Sequence, residues 1–141
     1  MDNVDKSTLV KLGKASLAQL PQDILCPRYD PATLTPGIVH IGLGNFHRAH
    51  QAWYLHRLMQ MGKALDWAII GAGVKPYDEE QREKLAAQDY LTTLIELSPE
   101  GSKAEVTASM IDYVPIRPDN QPLIRQLAEP EIRIVGLTVT E

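Results

Sequence analysis

Cysteine is almost missing from this chain of 141 residues, where Cys26 stands alone. No intramolecular disulfide and no multi-cysteine metal cage can form, so a reducing compartment, the cytoplasm, is the simpler expectation. Basic residues are in deficit too, with 14 Lys and Arg against 18 Asp and Glu and a formal charge of −4. No nucleic-acid or other polyanion surface is expected from that balance. Long apolar runs are also absent: residues 67–74 and 134–139 fall well short of the roughly 20 needed to cross a bilayer, and both are read as buried strands. Near the N-terminus Asp2, Asp5, Lys6, Lys11 and Lys14 interrupt the apolar residues, so neither a signal peptide nor export is expected. Internal repeats, low-complexity blocks and long charged runs are lacking as well.

What is present suits one ordinary folded domain, with 44% hydrophobic and 23% charged residues. A chain of this size buries roughly two-thirds of its unfolded surface and needs no staple. Residues 1–36 form a leader in which Leu17 and Leu20 close a short helix before Pro21, Pro27, Pro31 and Pro36 interrupt regular structure. At Gly37 the character changes. Ile38, Val39 and Ile41 make a β-branched strand that stops at Gly42 and Gly44. Residues 46–61 hold no Gly or Pro, and Ala49, Ala52, Leu55 and Met59 recur along one helical face.

The strand at 67–74 completes a βαβ unit, with the right-handed crossover nearly all such units have. A second helix starts near Pro76, where Asp78, Glu79 and Glu80 offset the positive end of its dipole, and runs to about Ala87. Residues 90–97 and 104–114 are strands divided by a turn at Pro99, Glu100 and Gly101; they either pair with each other or continue the parallel sheet. A short helix from Asn120 to Leu127 follows, then a final strand from Ile132 that ends with the chain at Glu141.

The chemical signal lies at the first strand's end, in Gly42-Leu43-Gly44-Asn45-Phe46-His47. This G-x-G-x-x-H run between strand and helix matches most of a dinucleotide fingerprint. Gly42 permits a tight turn, and Gly44 leaves room for a pyrophosphate whose charge meets the helix's free N–H groups. Arg48 adds a cation. His47 replaces the third glycine, which normally allows close helix-to-strand packing; it is either a phosphate contact or a packing residue, with Ala49 and Ala52 restoring close approach. Two glycines after a strand also serve as a plain turn.

An acid is expected about 20 positions beyond the glycines to bind the adenosine ribose. The first acid past the end of the second strand, where that ligand belongs, is Asp78, preceded by Lys75, so a ribose ligand and a solvated helix start both remain open, as do NAD and NADP. Thr138 and Thr140 end the last strand, where open α/β sheets bind ligands, though threonine is also an ordinary strand residue. His47, His50 and His56 do not make a metal site, because residues 50 and 56 lie about 240° apart around a helix. His40 is read as a core or interface histidine, Cys26 as a structural thiol, and Trp53 and Tyr54 as packing residues. Together these readings imply an α/β fold, a partial doubly wound Rossmann-like domain with a mainly parallel sheet and flanking helices.

The run Thr35-Pro-Gly-Ile-Val-His-Ile-Gly-Leu-Gly-Asn-Phe-His-Arg-Ala-His-Gln51 resembles the opening strand and turn of the mannitol dehydrogenase family, polyol-specific long-chain dehydrogenases. The similarity continues through Asp66-Trp-Ala-Ile-Ile-Gly-Ala-Gly-Val74, the run from Ala86 to Leu91, and Leu137 to Glu141, covering about residues 30–141. It implies oxidation of a polyol such as mannitol to its ketose, with hydride passing to nicotinamide and a lysine accepting the hydroxyl proton. NAD is the cofactor it implies. Gly42, Gly44, Asn45, Phe46 and Arg48 are the binding positions carried across, with Phe46 covering part of the cofactor. Other members act on fructuronate, tagaturonate or arabinitol, so the substrate stays open, as does the oligomeric state.

The family's catalytic K-x-x-x-x-N-x-x-H motif has no match here. The chain is therefore expected to be a truncated N-terminal dinucleotide-binding domain, residues 37–141, without its C-terminal substrate domain and inactive alone. The competing expectation is a stand-alone nucleotide-binding or protein-interaction module whose last strand is paired by another chain.

Overall fold

The computed structural model describes residues 9–139. The expectations placed on Asp2, Asp5, Lys6, Thr140 and Glu141 lie outside the described residues. Four strands, β1 (Pro36–Ile41), β2 (Ala68–Ala72), β5 (Met110–Tyr113) and β6 (Ile134–Leu137), form a parallel sheet in the order β5-β2-β1-β6. The order grows outward from β1 through β2 to β5, then returns to the other side of β1. That reversal makes the carboxyl ends of β1 and β6 a topological switch point, the half-sheet pattern of a doubly wound fold.

All five β2 residues are buried, as an unbroken apolar run in a strand covered on both faces should be. The two faces take alternate residues. Ile69 and Met110 pack with Ala52 of α2 (Gln51–Gln60) and Leu85 of α3 (Asp78–Ala86). Val39, Ile70 and Ala72 pack instead with Leu123 of α4 (Gln121–Leu127).

Three elements depart from the sequence reading. The helix expected over 46–61 is two helices, α1 (Asn45–Ala49) and α2, broken at His50 (φ −121°, ψ −85°). There His50 Nδ1 lies 2.7 Å from the Phe46 carbonyl, taking the position of the backbone N–H that would have continued the helix.

The strand expected over 104–114 divides between β5 and an antiparallel hairpin of β3 (Thr92–Ser98) and β4 (Gly101–Thr107). Both expected pairings thus occur, in different halves. Ala108 and Ser109 make the change of sheet, held as Ser109 Oγ donates to the Ala52 carbonyl at 2.6 Å.

The strand expected to be buried over 134–139 is the exposed edge of the sheet among the described residues. Val135 is 54% and Leu137 63% exposed. Periodicity reported the strand correctly but not how many of its faces would be covered.

The described residues before β1 fold over the hairpin. Their 3₁₀ turn (Lys14–Gln19) brings Leu17 and Leu20 against Leu91, Val106 and Ala108. Cys26 sits half-buried, its Sγ directed at the Leu17 and Ile24 carbonyls. A buried polar cluster ties leader, α2 and β4 together. Tyr29 Oη lies 2.6 Å from His56 Nδ1, His56 Nε2 lies 3.3 Å from Glu105 Oε1, and Trp53 Nε1 donates to Glu105 Oε2 at 2.8 Å. Trp53 is thus a packing and anchoring residue, whereas its neighbour Tyr54 is 59% exposed. Among the described residues no helix is long and apolar enough to cross a membrane.

Candidate functional site

The turn from β1 into α1 is built by its glycines. Gly42 has φ +87°, a left-handed conformation that side chains disfavour, and its N–H donates to the Ala72 carbonyl at 2.9 Å. A Cβ on Gly42 would also lie 3.1 Å from the Thr138 carbonyl oxygen. Gly44 differs. A Cβ there would meet nothing within 4 Å, so its hydrogens face open space. The chain then enters α1, whose first N–H groups have no helical acceptor.

That open space is a cleft of about 650 Å³ at the carboxyl ends of the strands. Gly42, Leu43, Gly44, Asn45 and Phe46 form one wall. The β2–α3 connection supplies Val74, Lys75, Tyr77 and Asp78, and the end of β6 supplies Leu137, Thr138 and Val139. Phe46 is 67% exposed at the rim and stacks on His50. Asp78 folds back on the loop after β2, its Oδ2 accepting from the Val74 and Lys75 N–H groups at 3.0 Å each. It is therefore both a helix-start residue and a cleft residue. Lys84 also lines the cleft but pairs with Glu80 at 2.6 Å. Tyr113 closes the floor, and burial pushes its hydroxyl up to about 12.

Two of the expected site residues lie off this cleft. Arg48 is half-buried and donates from Nη2 to Asn45 Oδ1, so it braces the wall from behind. His47 is only 2% exposed and stacks on His40, with ring centroids 3.6 Å apart. Burial first, then the neighbouring His40 and Arg48, push His47 down to about 3; burial also lowers His40. Both rings are neutral at physiological pH.

The histidine pair explains how the turn tolerates no third glycine. His40 Nδ1 lies so close over Gly136 of β6 that a Cβ there would be 2.4 Å away. The space is taken from the neighbouring strand rather than from the helix. A glycine inside an apolar strand was the available signal for this close approach. The described residues contain no group of three or more His, Cys, Asp or Glu placed to hold a metal ion.

Tyr77 was not singled out in the sequence, since a lone aromatic beside a helix start carries no pattern. The residues fit a dinucleotide on the geometry of the turn: a Cβ-free face at Gly44 opening on a cleft at the switch point.

A family model described as the mannitol dehydrogenase Rossmann domain matches residues 36–141. Mannitol 2-dehydrogenase of Cereibacter sphaeroides is 54% identical over 122 residues, which are 86% of this chain and 26% of that protein. Among solved structures, the Pseudomonas fluorescens mannitol 2-dehydrogenase ternary complex with NAD and D-mannitol superposes with TM-score 0.86 at 46% identity, over 92% of this chain and 26% of that one. A D-sorbitol dehydrogenase in substrate-free form gives TM-score 0.78 at 37% identity, over 92% of this chain and 27% of the other. The chain thus spans about a quarter of the length of these relatives. Strand order, the open face of Gly44 and the match over residues 36–141 agree, and the chain belongs to the mannitol dehydrogenase family, of which it carries the Rossmann domain.

Proposed function

We propose that this chain is the N-terminal cofactor-binding portion of an NAD-dependent polyol dehydrogenase of the mannitol type, which oxidises a sugar alcohol to a ketose. Residues 37–141 would be the dinucleotide domain and the preceding residues its leader. The observation that carries this reading is the cleft walled by Gly42–Phe46 at the switch point. Gly42, Leu43 and Gly44 would pass the pyrophosphate close to their backbone, with the first N–H groups of α1 meeting its charge. Asn45, braced by Arg48, and Phe46 would flank it, with Thr138 opposite. His47, buried behind the turn, would support rather than touch it. A nicotinamide held there would supply the hydride acceptor for oxidation of the polyol carbon.

Asp78 at the mouth favours NAD, because its carboxylate would repel a 2′-phosphate. Lys75 and Lys84 in the same cleft are the feature in favour of NADP. The lysine-centred catalytic motif is not in these residues, so the 141-residue chain should bind dinucleotide without turning over mannitol. The cytoplasm is the compartment we propose, on the single cysteine.

The test is calorimetric titration of the chain with NAD, NADP and ADP-ribose, beside Gly44→Val. Because nothing lies within 4 Å of the Gly44 Cβ position, that variant should fold normally and lose dinucleotide affinity. Equal affinity in variant and wild type would remove the assignment. A second reading, a nucleotide-binding or interaction module without catalysis, draws on the exposed apolar edge of β6. Mannitol-dependent NAD reduction by a longer protein containing this domain would exclude it.

A further inference from the structure

Beneath the glycine turn, side chains from three elements meet away from the cleft surface. His40 of β1 is 3% exposed, and its Nε2 lies 2.7 Å from Thr138 Oγ1, just beyond β6. One face of its ring stacks on His47 of α1, with planes 20° from parallel, and its Nδ1 edge crowds Gly136. The β6 segment therefore has a glycine where the ring lies and a hydroxyl where the ring ends.

Thr138 connects this cluster to the cleft through its backbone. Its N–H donates to the Ile41 carbonyl at 3.0 Å, and its carbonyl oxygen lies 3.1 Å from the Gly42 Cβ position. Thr138 and Val139 line the cleft opposite the glycine turn, while His40 does not. Among the described residues β6 pairs with β1, and the Thr138 N–H carries that pairing one step past Leu137.

We propose that His40 is a positioning residue for the dinucleotide cleft: its hydrogen bond to Thr138 latches the end of β6 against the Gly42–Gly44 turn and so sets the spacing between the two walls. The stack on His47 and the missing side chain at Gly136 fix the ring plane, leaving Nε2 aimed at the threonine hydroxyl. This rests on reading the cleft as the dinucleotide site.

Gly136→Ala tests the latch without altering a hydrogen-bonding group or a cleft residue. Its methyl would displace the His40 ring, so NAD affinity of the 141-residue chain should fall about tenfold, the scale of one lost side-chain hydrogen bond. Amide exchange at residues 42–44 and 137–139 should rise without ligand. His40→Gln, whose side-chain amide reaches the Nε2 position, should retain affinity, whereas His40→Leu should lose it. Unchanged exchange in Gly136→Ala, or, with NAD bound by the wild type, equal affinities for His40→Gln and His40→Leu, would overturn the latch. If Gly136→Ala does not fold, the two His40 variants decide alone, by exchange and affinity. Faster exchange in the latch variants, with no NAD bound by the wild type, supports the latch and overturns the dinucleotide reading instead.

Discussion

Mild acidification should loosen this domain, and His47 is the main reason. Its ring is buried against His40 and pushed from the ordinary 6.5 down to about 3, so the folded chain refuses a proton that the unfolded chain accepts. Between those values the unfolded state binds more protons, and stability falls as pH falls. At pH 5 the unfolded imidazole lies 1.5 units below its own midpoint while the folded ring is still neutral, which amounts to about 2 kcal/mol relative to pH 8. With a denaturant slope of about 2 kcal/mol/M, the urea midpoint should drop by roughly 1 M. His40 and His56 are lowered by burial as well and act in the same direction. Glu79 and Glu80 are held below the usual carboxylate range by Arg82 and Lys84, so they titrate outside this window. The assay is urea unfolding at pH 8 and pH 5, followed by tryptophan fluorescence, on the wild type and His47→Phe. Phenylalanine keeps a flat ring on His40 but cannot take a proton, so its midpoint should move much less. The same drop in both proteins would refute the reasoning.

Gly73→Ala should destabilise by about 1–3 kcal/mol, because its Cβ would lie 2.4 Å from the Asp78 Cβ and push that carboxylate off the Val74 and Lys75 N–H groups. A urea midpoint within error of wild type would contradict that packing. Glu105→Ala should cost about 3 kcal/mol by leaving the Trp53 indole N–H unpartnered and removing the carboxylate beside the buried His56 Nε2, and Tyr29→Phe about 1 kcal/mol by removing one hydrogen bond. Chemical denaturation of both variants checks the ranking, and equal effects would show that Glu105 does not organise the cluster.

The β1–turn–α1 unit was legible because its determinants are local: a β-branched run, two glycines and an apolar helical face, all within about 25 consecutive residues. The helix break was not, since it depends on the His50 ring reaching the Phe46 carbonyl. Of the named site residues, Gly42, Leu43, Gly44, Asn45, Phe46 and Thr138 gather around one cleft, while Arg48 and His47 stand behind it. Spacing cannot distinguish the front of a five-residue helix from its back. Asp78 was visible as an acid, but its folding back over Gly73 was not.

By itself the sequence determined the α/β class, most of the strands and helices, and the two-glycine turn after the first strand, because each follows from backbone preference and periodicity over a few neighbours. Only the tertiary structure decided that β6 lies beside β1, that residues 104–114 serve two sheets, and that Gly136 makes room for His40. Those outcomes depend on which surfaces remain to be covered once distant strands have paired, a condition no local pattern records.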